Sequence, residues 1–186
     1  QDPFKERGFK SINKAISASL HQVHDGMNGK RQVYPTKWKR LNKNLLGGLQ
    51  PGKMYVVAGR PGVGKSAFSN QLIFDLLDNN QHKNLLVLYW SFEMPGYQQI
   101  MRAGAKGTNK QVSELLSVEQ KLERDAYEAF KKEVLKYAHY PIYFNNIPRN
   151  MEFVKNANVE ITNKKPDHTI INVFDHSRLI LSEKEH

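Results

Sequence analysis

Residues 59–66 read Gly59-Arg60-Pro61-Gly62-Val63-Gly64-Lys65-Ser66, which is the pattern G-x-x-x-x-G-K-[ST] of a phosphate-binding loop. In such a loop, glycines allow backbone N–H groups to face a phosphate chain without an intervening side chain. Lys65 can reach the β- and γ-phosphates, and the Ser66 hydroxyl can hold Mg²⁺. A helix that follows the loop adds the positive end of its dipole to the same anion site. The motif therefore predicts a binding site for a nucleoside triphosphate.

The segments around the loop indicate the fold class. A phosphate-binding loop needs a strand before it and a helix after it, and the apolar run at 54–58 and the periodic segment at 67–77 supply that pattern. Further strands are predicted at residues 84–90, 141–144 and 169–174. Further helices are predicted at residues 95–103, 111–116, 117–138 and 150–164. Because strands alternate with helices, we expect an α/β fold with a mostly parallel sheet and helices on both faces.

The composition bounds the class of protein and its partners. A length of 186 residues predicts one domain with a sizeable core. The chain has 28 Lys and Arg residues against 18 Asp and Glu residues, a net charge of +10 that favours a polyanionic partner. The basic cluster at 30–43 fits either a solvated connector or a direct nucleic-acid contact. The absence of cysteine fits a reducing cytoplasm, and the absence of a long apolar run predicts that no helix crosses a membrane.

An amphipathic helix is predicted at residues 9–27, ahead of the α/β pattern. Its apolar residues recur at spacings of three and four and form a single stripe: Phe9, Ile12, Ile16, Leu20, Val23 and Met27. Such a stripe has to be buried, either against the chain's own core or against a neighbouring subunit. We therefore divide the chain into a helix with its basic connector, residues 1–34, and a catalytic part, residues 35–186.

Two acidic residues stand directly after predicted strands. In open α/β sheets, ligands bind at the carboxyl ends of the strands, so both residues are candidates for the site. Asp175 follows an apolar run in the manner of a Walker B segment and can hold Mg²⁺ directly or through water. Glu93 can orient an attacking water as a general base, or its negative charge can stabilise the N-terminus of the next helix through the helix dipole. Spacing alone leaves both roles of Glu93 open.

Taken together, these segments resemble the C-terminal motor domain of DnaB-type hexameric replicative helicases. The resemblance covers nearly the whole chain. It is carried by Pro35-Thr36-Lys37-Trp38, Gly48-Leu49-Gln50-Pro51-Gly52, the loop with its Arg60-Pro61 pair, Ser91-Phe92-Glu93-Met94-Pro95, Pro141-Ile142-Tyr143-Phe144 and Asp175. The segment around Glu93 is similar to the family's Ser-Leu-Glu-Met, and its combination with the phosphate-binding loop is more specific than the loop alone.

The resemblance implies a RecA-like ATPase domain, partial in this chain, over residues 35–186. It implies ATP and Mg²⁺ as cofactors, with Ser66 and Asp175 on the metal and Glu93 and Lys65 in catalysis. The implied activity is ATP-driven unwinding of duplex DNA at a replication fork. The implied assembly is a homo-hexamer around single-stranded DNA, in which the helix at 9–27 is the linker helix that docks on the adjacent subunit. A primase or helicase loader, and a cytoplasmic, nucleoid-associated location, follow from the same resemblance.

The chain departs from the family's pattern in three places. Lys37 stands where the family usually has Gly, and His176 follows Asp175 where the family usually has Tyr. The family's sensor residue, DNA-binding loops and arginine finger would lie beyond His186, so we expect these 186 residues to bind nucleotide but to hydrolyse it poorly. Two alternatives remain open at this point: another RecA-like DNA-dependent ATPase such as a strand-exchange recombinase, and a degenerate nucleotide-binding module that serves in assembly.

Overall fold

The computed structural model describes residues 8–92, 94–147 and 149–175. Its helices are α1 (Ile12–Met27), α2 (Lys39–Asn44), α3 (Lys65–Asn79), α4 (Gly96–Gly107), α5 (Val112–Leu115), α6 (Arg124–Leu135) and α7 (Met151–Lys164). Its strands are β1 (Leu85–Ser91), β2 (Ile142–Asn145) and β3 (Thr169–Asp175). Within these ranges, no helix combines the length and the apolar character that a membrane span requires.

The three strands form one parallel sheet with the order β2-β1-β3. β1 lies in the centre and is buried along its whole length, as its continuous apolar sequence predicts for a strand covered on both faces. Its register on β3 sets Ser91 opposite Asp175, and the pairing continues where the Phe92 N–H donates to the Asp175 carbonyl at 3.1 Å. The carboxyl ends of β1 and β3 therefore lie side by side.

Helices cover the two faces of the sheet, as predicted. On one face, residues of α3 pack on alternate side chains of β1 in a cluster that contains Tyr34, Ile73, Leu76, Leu77, Leu85 and Val87. On the other face, Val154 of α7 packs with the intervening side chains in a cluster that contains Leu86, Leu88, Trp90 and Phe92. Because side chains of a strand alternate between faces, β1 contributes to both clusters and joins the three layers.

The predicted buried strand at residues 54–58 is not present. This segment has no strand assignment, and its apolar side chains are exposed, Met54 at 87% and Val56 at 76%. A strand needs a neighbour for its backbone N–H and C=O groups. Among the described residues, β3 pairs with β1 on one edge and with no strand on the other. The prediction of a buried strand at 54–58 is therefore wrong, because the described residues provide no neighbouring strand for its backbone groups.

Two helix starts also differ from the predicted positions. A longer helix was predicted to begin at Ser117, but the Ser117 hydroxyl only accepts a bond from the Gln120 N–H at 2.9 Å, and α6 begins at Arg124. Thr36 is a residue type that often caps helices, and it predicts a short helix that ends at Gly47-Gly48. The helix α2 begins instead at Lys39, and Thr36 Oγ1 donates to Asn42 Oδ1 at 2.7 Å. The Ser117 bond closes a local turn, whereas the Thr36 bond joins the chain ahead of α2 to Asn42 within that helix.

The first helix stands apart from the core. Ser11 caps α1 by accepting a bond from the Lys14 N–H at 3.4 Å, and no residue of the helix is buried. The apolar stripe is open along its length, with Leu20 at 67% and Met27 at 81% exposure. The described part of the chain therefore does not bury this stripe against its own core, which was one of the two arrangements expected from the sequence.

Candidate nucleotide-binding site

The phosphate-binding loop turns into α3 through two glycines with positive φ. Gly62 has a φ of 79°, and Gly64, which caps α3, has a φ of 90° and a ψ of 25°. Side chains of L-residues disfavour this left-handed region, so glycine is needed at both positions. The helix starts at once, because the Phe68 N–H donates to the Gly64 carbonyl at 2.9 Å. The loop is therefore connected without a spacer to the positive end of the α3 dipole.

Lys65 is folded back over the loop that precedes it. Its Nζ donates to the Arg60 carbonyl at 3.2 Å, which closes the loop on itself. Residues 59–64 are exposed, so this ammonium group is accessible from solvent. Gly59 permits the closure, since a Cβ there would lie 2.8 Å from Cγ2 of Val63. If a polyphosphate bound in the loop, its oxygens would replace the Arg60 carbonyl as the acceptor for Lys65 Nζ.

The predicted metal ligands are brought together. Ser66, in the first turn of α3, donates its hydroxyl proton to Oδ1 of Asp175, the last residue of β3, at 3.1 Å. A hydroxyl and a carboxylate are hard oxygen donors of the kind that Mg²⁺ takes, so the pair fits this ion. No cluster of three or more His, Cys, Asp or Glu side chains occurs in residues 8–92, 94–147 and 149–175.

Glu93, the predicted base, lies outside the described residues. The chain on both sides of it is defined. The Ser91 hydroxyl donates to the Met94 carbonyl, and Phe92 continues the pairing with Asp175. Lys65, Ser66 and Asp175 are therefore grouped at the carboxyl edge of the sheet, and the residues that flank position 93 lie at the same edge.

Tyr89 is a polar residue at this site that the sequence analysis did not single out. Its side chain is 1% exposed, and its hydroxyl has no hydrogen-bond partner among the described residues. Burial raises the pKa of Tyr89 well above its ordinary value, and the negative charge of Asp175 raises it further. The phenol is thus a protonated O–H group held in the field of the metal-site carboxylate. In the sequence it is indistinguishable from the apolar residues around it in β1.

A buried chain of polar side chains was also missed. Asn70 on α3 donates its amide to Oε1 of Gln99 on α4, and Gln99 Nε2 donates to Ser91 Oγ at 3.3 Å. All three side chains are buried, with exposures of 6%, 0% and 0%. Asn70 and Gln99 are 29 positions apart, so no local periodicity could have paired them. The only sign in the sequence is a polar residue on the face of each helix that meets the core.

Comparison with known proteins identifies the family of this chain. The family described as the DnaB-like helicase C terminal domain matches residues 34–186. The chain belongs to this family.

Solved structures of a helicase and of an ATPase domain have the same fold. The helicase is a DnaB-like replicative helicase studied with primase, at a TM-score of 0.75 and 16% identity, and the match covers 96% of this chain and 41% of that one. The ATPase domain matches at a TM-score of 0.74 and 16% identity, covering 96% of this chain and 61% of that one. The predicted RecA-like α/β fold is confirmed.

Curated relatives at higher identity include DnaB and RadA proteins. The replicative DNA helicase DnaB of Buchnera aphidicola subsp. Schizaphis graminum is 32% identical over 108 residues, which is 53% of this chain and 21% of that protein. The DNA repair protein RadA of Aquifex aeolicus is 33% identical over 110 residues, which is 59% of this chain and 23% of that protein. The chain therefore spans between a fifth and a quarter of the curated relatives it matches.

Proposed function

We propose that this DnaB-like domain is part of the motor of a ring-shaped replicative helicase and binds Mg-ATP to drive the unwinding of duplex DNA. The observation that carries the proposal is the contact at 3.1 Å between Ser66 and Asp175. It joins the phosphate-binding loop to the end of β3, next to the end of β1. In phosphate-loop triphosphatases the Ser or Thr at the end of the loop and an Asp at a strand end together hold the metal, so Ser66 and Asp175 would be the residues that hold Mg²⁺ here.

Nucleotide binding in this proposal uses residues 59–66. The exposed backbone N–H groups of the glycine-rich loop and the α3 dipole hold the phosphates, and Lys65 neutralises their charge. Ser66 and Asp175 hold the metal. Bound Mg²⁺ would polarise the γ-phosphate and offset the negative charge that develops during hydrolysis.

Hydrolysis requires a group that orients and deprotonates water. Glu93 has this role in the proposal, since the sequence sets it directly after Phe92, whose backbone pairs with Asp175 at 3.1 Å. General-base catalysis of this kind contributes on the order of 10²–10⁴ in rate.

Assembly into a homo-hexamer is proposed to use α1. We take residues 1–34 as a linker segment and residues 35–186 as belonging to the RecA-like ATPase domain. The stripe on α1 is apolar and exposed, with Ile12 at 72%, Ile16 at 51% and Leu20 at 67%. Burying such a stripe on the adjacent subunit would stabilise a ring, since each large apolar side chain removed from water contributes about 1.5–3 kcal/mol.

The proposed nucleic-acid partner is single-stranded DNA in the channel of the ring. A net charge of +10 favours a polyanion, although it does not locate the contact surface. A primase or a helicase loader is a further proposed partner, because a DnaB-like helicase of the same fold has been studied with primase. We also propose a cytoplasmic, nucleoid-associated location, because the proposed activity acts on replicating DNA.

The test compares Glu93→Gln with Lys65→Ala in the full-length protein. Lys65→Ala should lose nucleotide binding. Glu93→Gln should bind a fluorescent ATP analogue with little change but lose DNA-stimulated turnover and unwinding by about 10²–10⁴. Lys53→Ala, which removes an exposed cation just before the loop, should behave as the unchanged protein. Normal turnover by Glu93→Gln would show that Glu93 is not the base, whereas nucleotide binding without turnover in the unchanged protein would favour the assembly-module alternative.

A second candidate function is that of a RecA-like ATPase in DNA repair or strand exchange. The specific observation in its favour is the 33% identity to a RadA protein. The two candidates differ in their assemblies, because a replicative helicase forms closed rings and a strand-exchange protein forms filaments on DNA. Electron micrographs of the full-length protein with ATP and single-stranded DNA would decide between them.

A further inference from the structure

The structure separates the basic cluster at residues 30–43 into cations that are tied to the domain and cations that are not. Arg31 Nη2 donates to Gln50 Oε1 at 2.9 Å, and Lys37 Nζ lies 3.9 Å from Oδ1 of Asp75. These two side chains are therefore directed to partners within the domain. The exposed cations that remain on α2 are Lys39, Arg40 and Lys43.

These three side chains share one face of α2. Lys43 lies four residues after Lys39 and three residues after Arg40, and residues at these spacings are neighbours on the surface of a helix. Like charges at such spacings repel and destabilise the helix that carries them. None of the three forms an ion pair with another described residue. The face therefore holds three positive charges whose repulsion no ion pair in that part of the chain offsets.

Helix α6 carries the same basic groups in a different setting. It has one arginine and two lysines, Arg124, Lys131 and Lys132, but it also has three acidic residues. Lys131 Nζ, for example, lies 3.6 Å from Oε2 of Glu128. The sequence of α2, Lys-Arg-Leu-Asn-Lys-Asn, contains no acid. The basic face of α2 is therefore unlike the mixed charged surface of α6.

Helix α2 is held on the domain from the side opposite to these cations. Asn42 Oδ1 accepts from the backbone N–H of Thr36 at 2.8 Å and from its hydroxyl at 2.7 Å, and Asn42 Nδ2 donates to the Thr36 carbonyl at 2.7 Å. Thr36 is 4% exposed. Just ahead of the helix, Trp38 stacks on Phe68 of α3 with the ring centroids 5.4 Å apart. The three cations are therefore presented to solvent on a fixed support.

The chemistry of this face fits the phosphate backbone of a nucleic-acid duplex. Surfaces that bind single strands combine cations with aromatic side chains on which the bases stack. The two aromatic residues of the cluster are not free to stack on bases, because Tyr34 is buried at 3% exposure and Trp38 is stacked on Phe68. A DNA duplex keeps its bases inside and presents one negative charge per about 1.7 Å of its axis. Cations without a stacking partner suit the duplex.

We propose that the face formed by Lys39, Arg40 and Lys43 is a contact surface for duplex DNA, which it binds through phosphates without reading the sequence. This inference goes beyond the proposed function, in which single-stranded DNA lies in the channel of the ring. It requires no step of hydrolysis. Such a contact would keep the duplex beside the motor while one strand passes through the ring.

The experiment measures binding of a labelled DNA duplex to the full-length protein by fluorescence anisotropy, without nucleotide, over a series of salt concentrations. The triple change Lys39→Gln, Arg40→Gln and Lys43→Gln should weaken duplex binding by about 10–100-fold and lower the slope of log Kd against log salt by about 2–3. The single change Lys43→Gln should lower that slope by about 1. An unchanged slope in both variants would overturn the proposal.

A second arm distinguishes the duplex from the single strand. Binding of labelled oligo(dT) of the same length, measured with a non-hydrolysable ATP analogue, should stay within about threefold in the triple variant, because the single strand is held elsewhere. An equal loss of single-strand and duplex binding would show that this face does not serve the duplex. Because duplex binding is measured without nucleotide, its failure would leave the proposed hydrolysis unaffected.

The matched control removes the same charge from α6. Arg124→Gln, Lys131→Gln and Lys132→Gln together should leave duplex binding within about twofold, and a loss equal to that of the α2 variant would mean that only the net charge matters. Lys39→Arg with Lys43→Arg keeps the charges and should bind the duplex within about twofold of the unchanged protein. The Tm of the α2 triple variant without DNA should not fall, because the substitutions remove repulsion between like charges.

Discussion

Ser66 Oγ donates to Asp175 Oδ1 at 3.1 Å, although the two residues are 109 positions apart. The glycines that start α3 position Ser66, and the parallel pairing of β3 with β1 positions Asp175. The contact therefore depends on the loop and on the sheet together. It gives the domain an oxygen pair of the right chemistry for Mg²⁺, at the edge of the sheet where the phosphate-binding loop ends.

Replacing Asp175 tests whether this pair holds the metal. Asp175→Asn keeps the size and a hydrogen-bond acceptor but removes the charge, so it should weaken the tightening of nucleotide binding by Mg²⁺ by about 10–100-fold. Binding measured with EDTA should change little. Titration of a fluorescent ATP analogue with and without Mg²⁺ measures both quantities. Asp167→Asn, an exposed residue ahead of β3, is the matched control, and an equal loss there would rule out a specific role for Asp175.

The exposed stripe on α1 predicts an effect on assembly. Leu20→Glu inserts a charge into the stripe, so the full-length protein should fall from hexamers to smaller species in size-exclusion chromatography with light scattering. Ala18→Glu adds the same charge to the opposite side of α1 and should leave hexamers intact, since neither residue is buried in the subunit itself. A hexamer that survives Leu20→Glu at the same concentration and salt would show that this face does not hold the ring.

Gly48 predicts a sensitive point for stability. Its φ is 143°, and a Cβ there would collide with the Tyr34 carbonyl, which accepts from the Leu49 N–H at 2.9 Å. Gly48→Ala should therefore lower the free energy of unfolding by roughly 2–6 kcal/mol, from backbone strain and the clash together. Gly26→Ala on α1 is the control, because a Cβ there meets nothing within 4 Å. That change should alter the free energy of unfolding by less than about 0.5 kcal/mol, because α1 does not pack on the core, and denaturant titrations measure both.

Tyr89 and Tyr140 should respond in opposite directions to loss of their hydroxyls. The Tyr89 hydroxyl is buried without a partner in the described residues, whereas the Tyr140 hydroxyl donates to Oδ1 of Asp78. Tyr89→Phe should raise the free energy of unfolding of the nucleotide-free protein by about 1–3 kcal/mol, because an unpaired buried group is removed. Tyr140→Phe should lower it by about 1.5–3 kcal/mol. A drop in stability for Tyr89→Phe would mean that its hydroxyl has a partner in the folded protein.

Much of the fold could be predicted from local patterns. The apolar run of β1 and the helical periodicity of α3 and α7 predicted those elements to within a few residues, because each pattern reports directly on what covers the element. The prediction failed where an element needs a distant partner. The run at 54–58 has no neighbouring strand in the described residues, so it does not form a strand. Ser117 accepts a capping bond, but the helix begins only at Arg124.

The sequence by itself determined the chemistry: a glycine-rich loop that can hold phosphates, a lysine and a serine at its end, and an acid after an apolar strand. Tertiary structure decided which of these groups meet. Parallel pairing of β1 with β3 set Asp175 beside the end of β1, and packing of α3 and α4 on the sheet joined Asn70 to Gln99 and Ser91. The physical reason is that side-chain types and periodicity are local properties, whereas strand register and buried hydrogen bonds depend on residues that are distant along the chain.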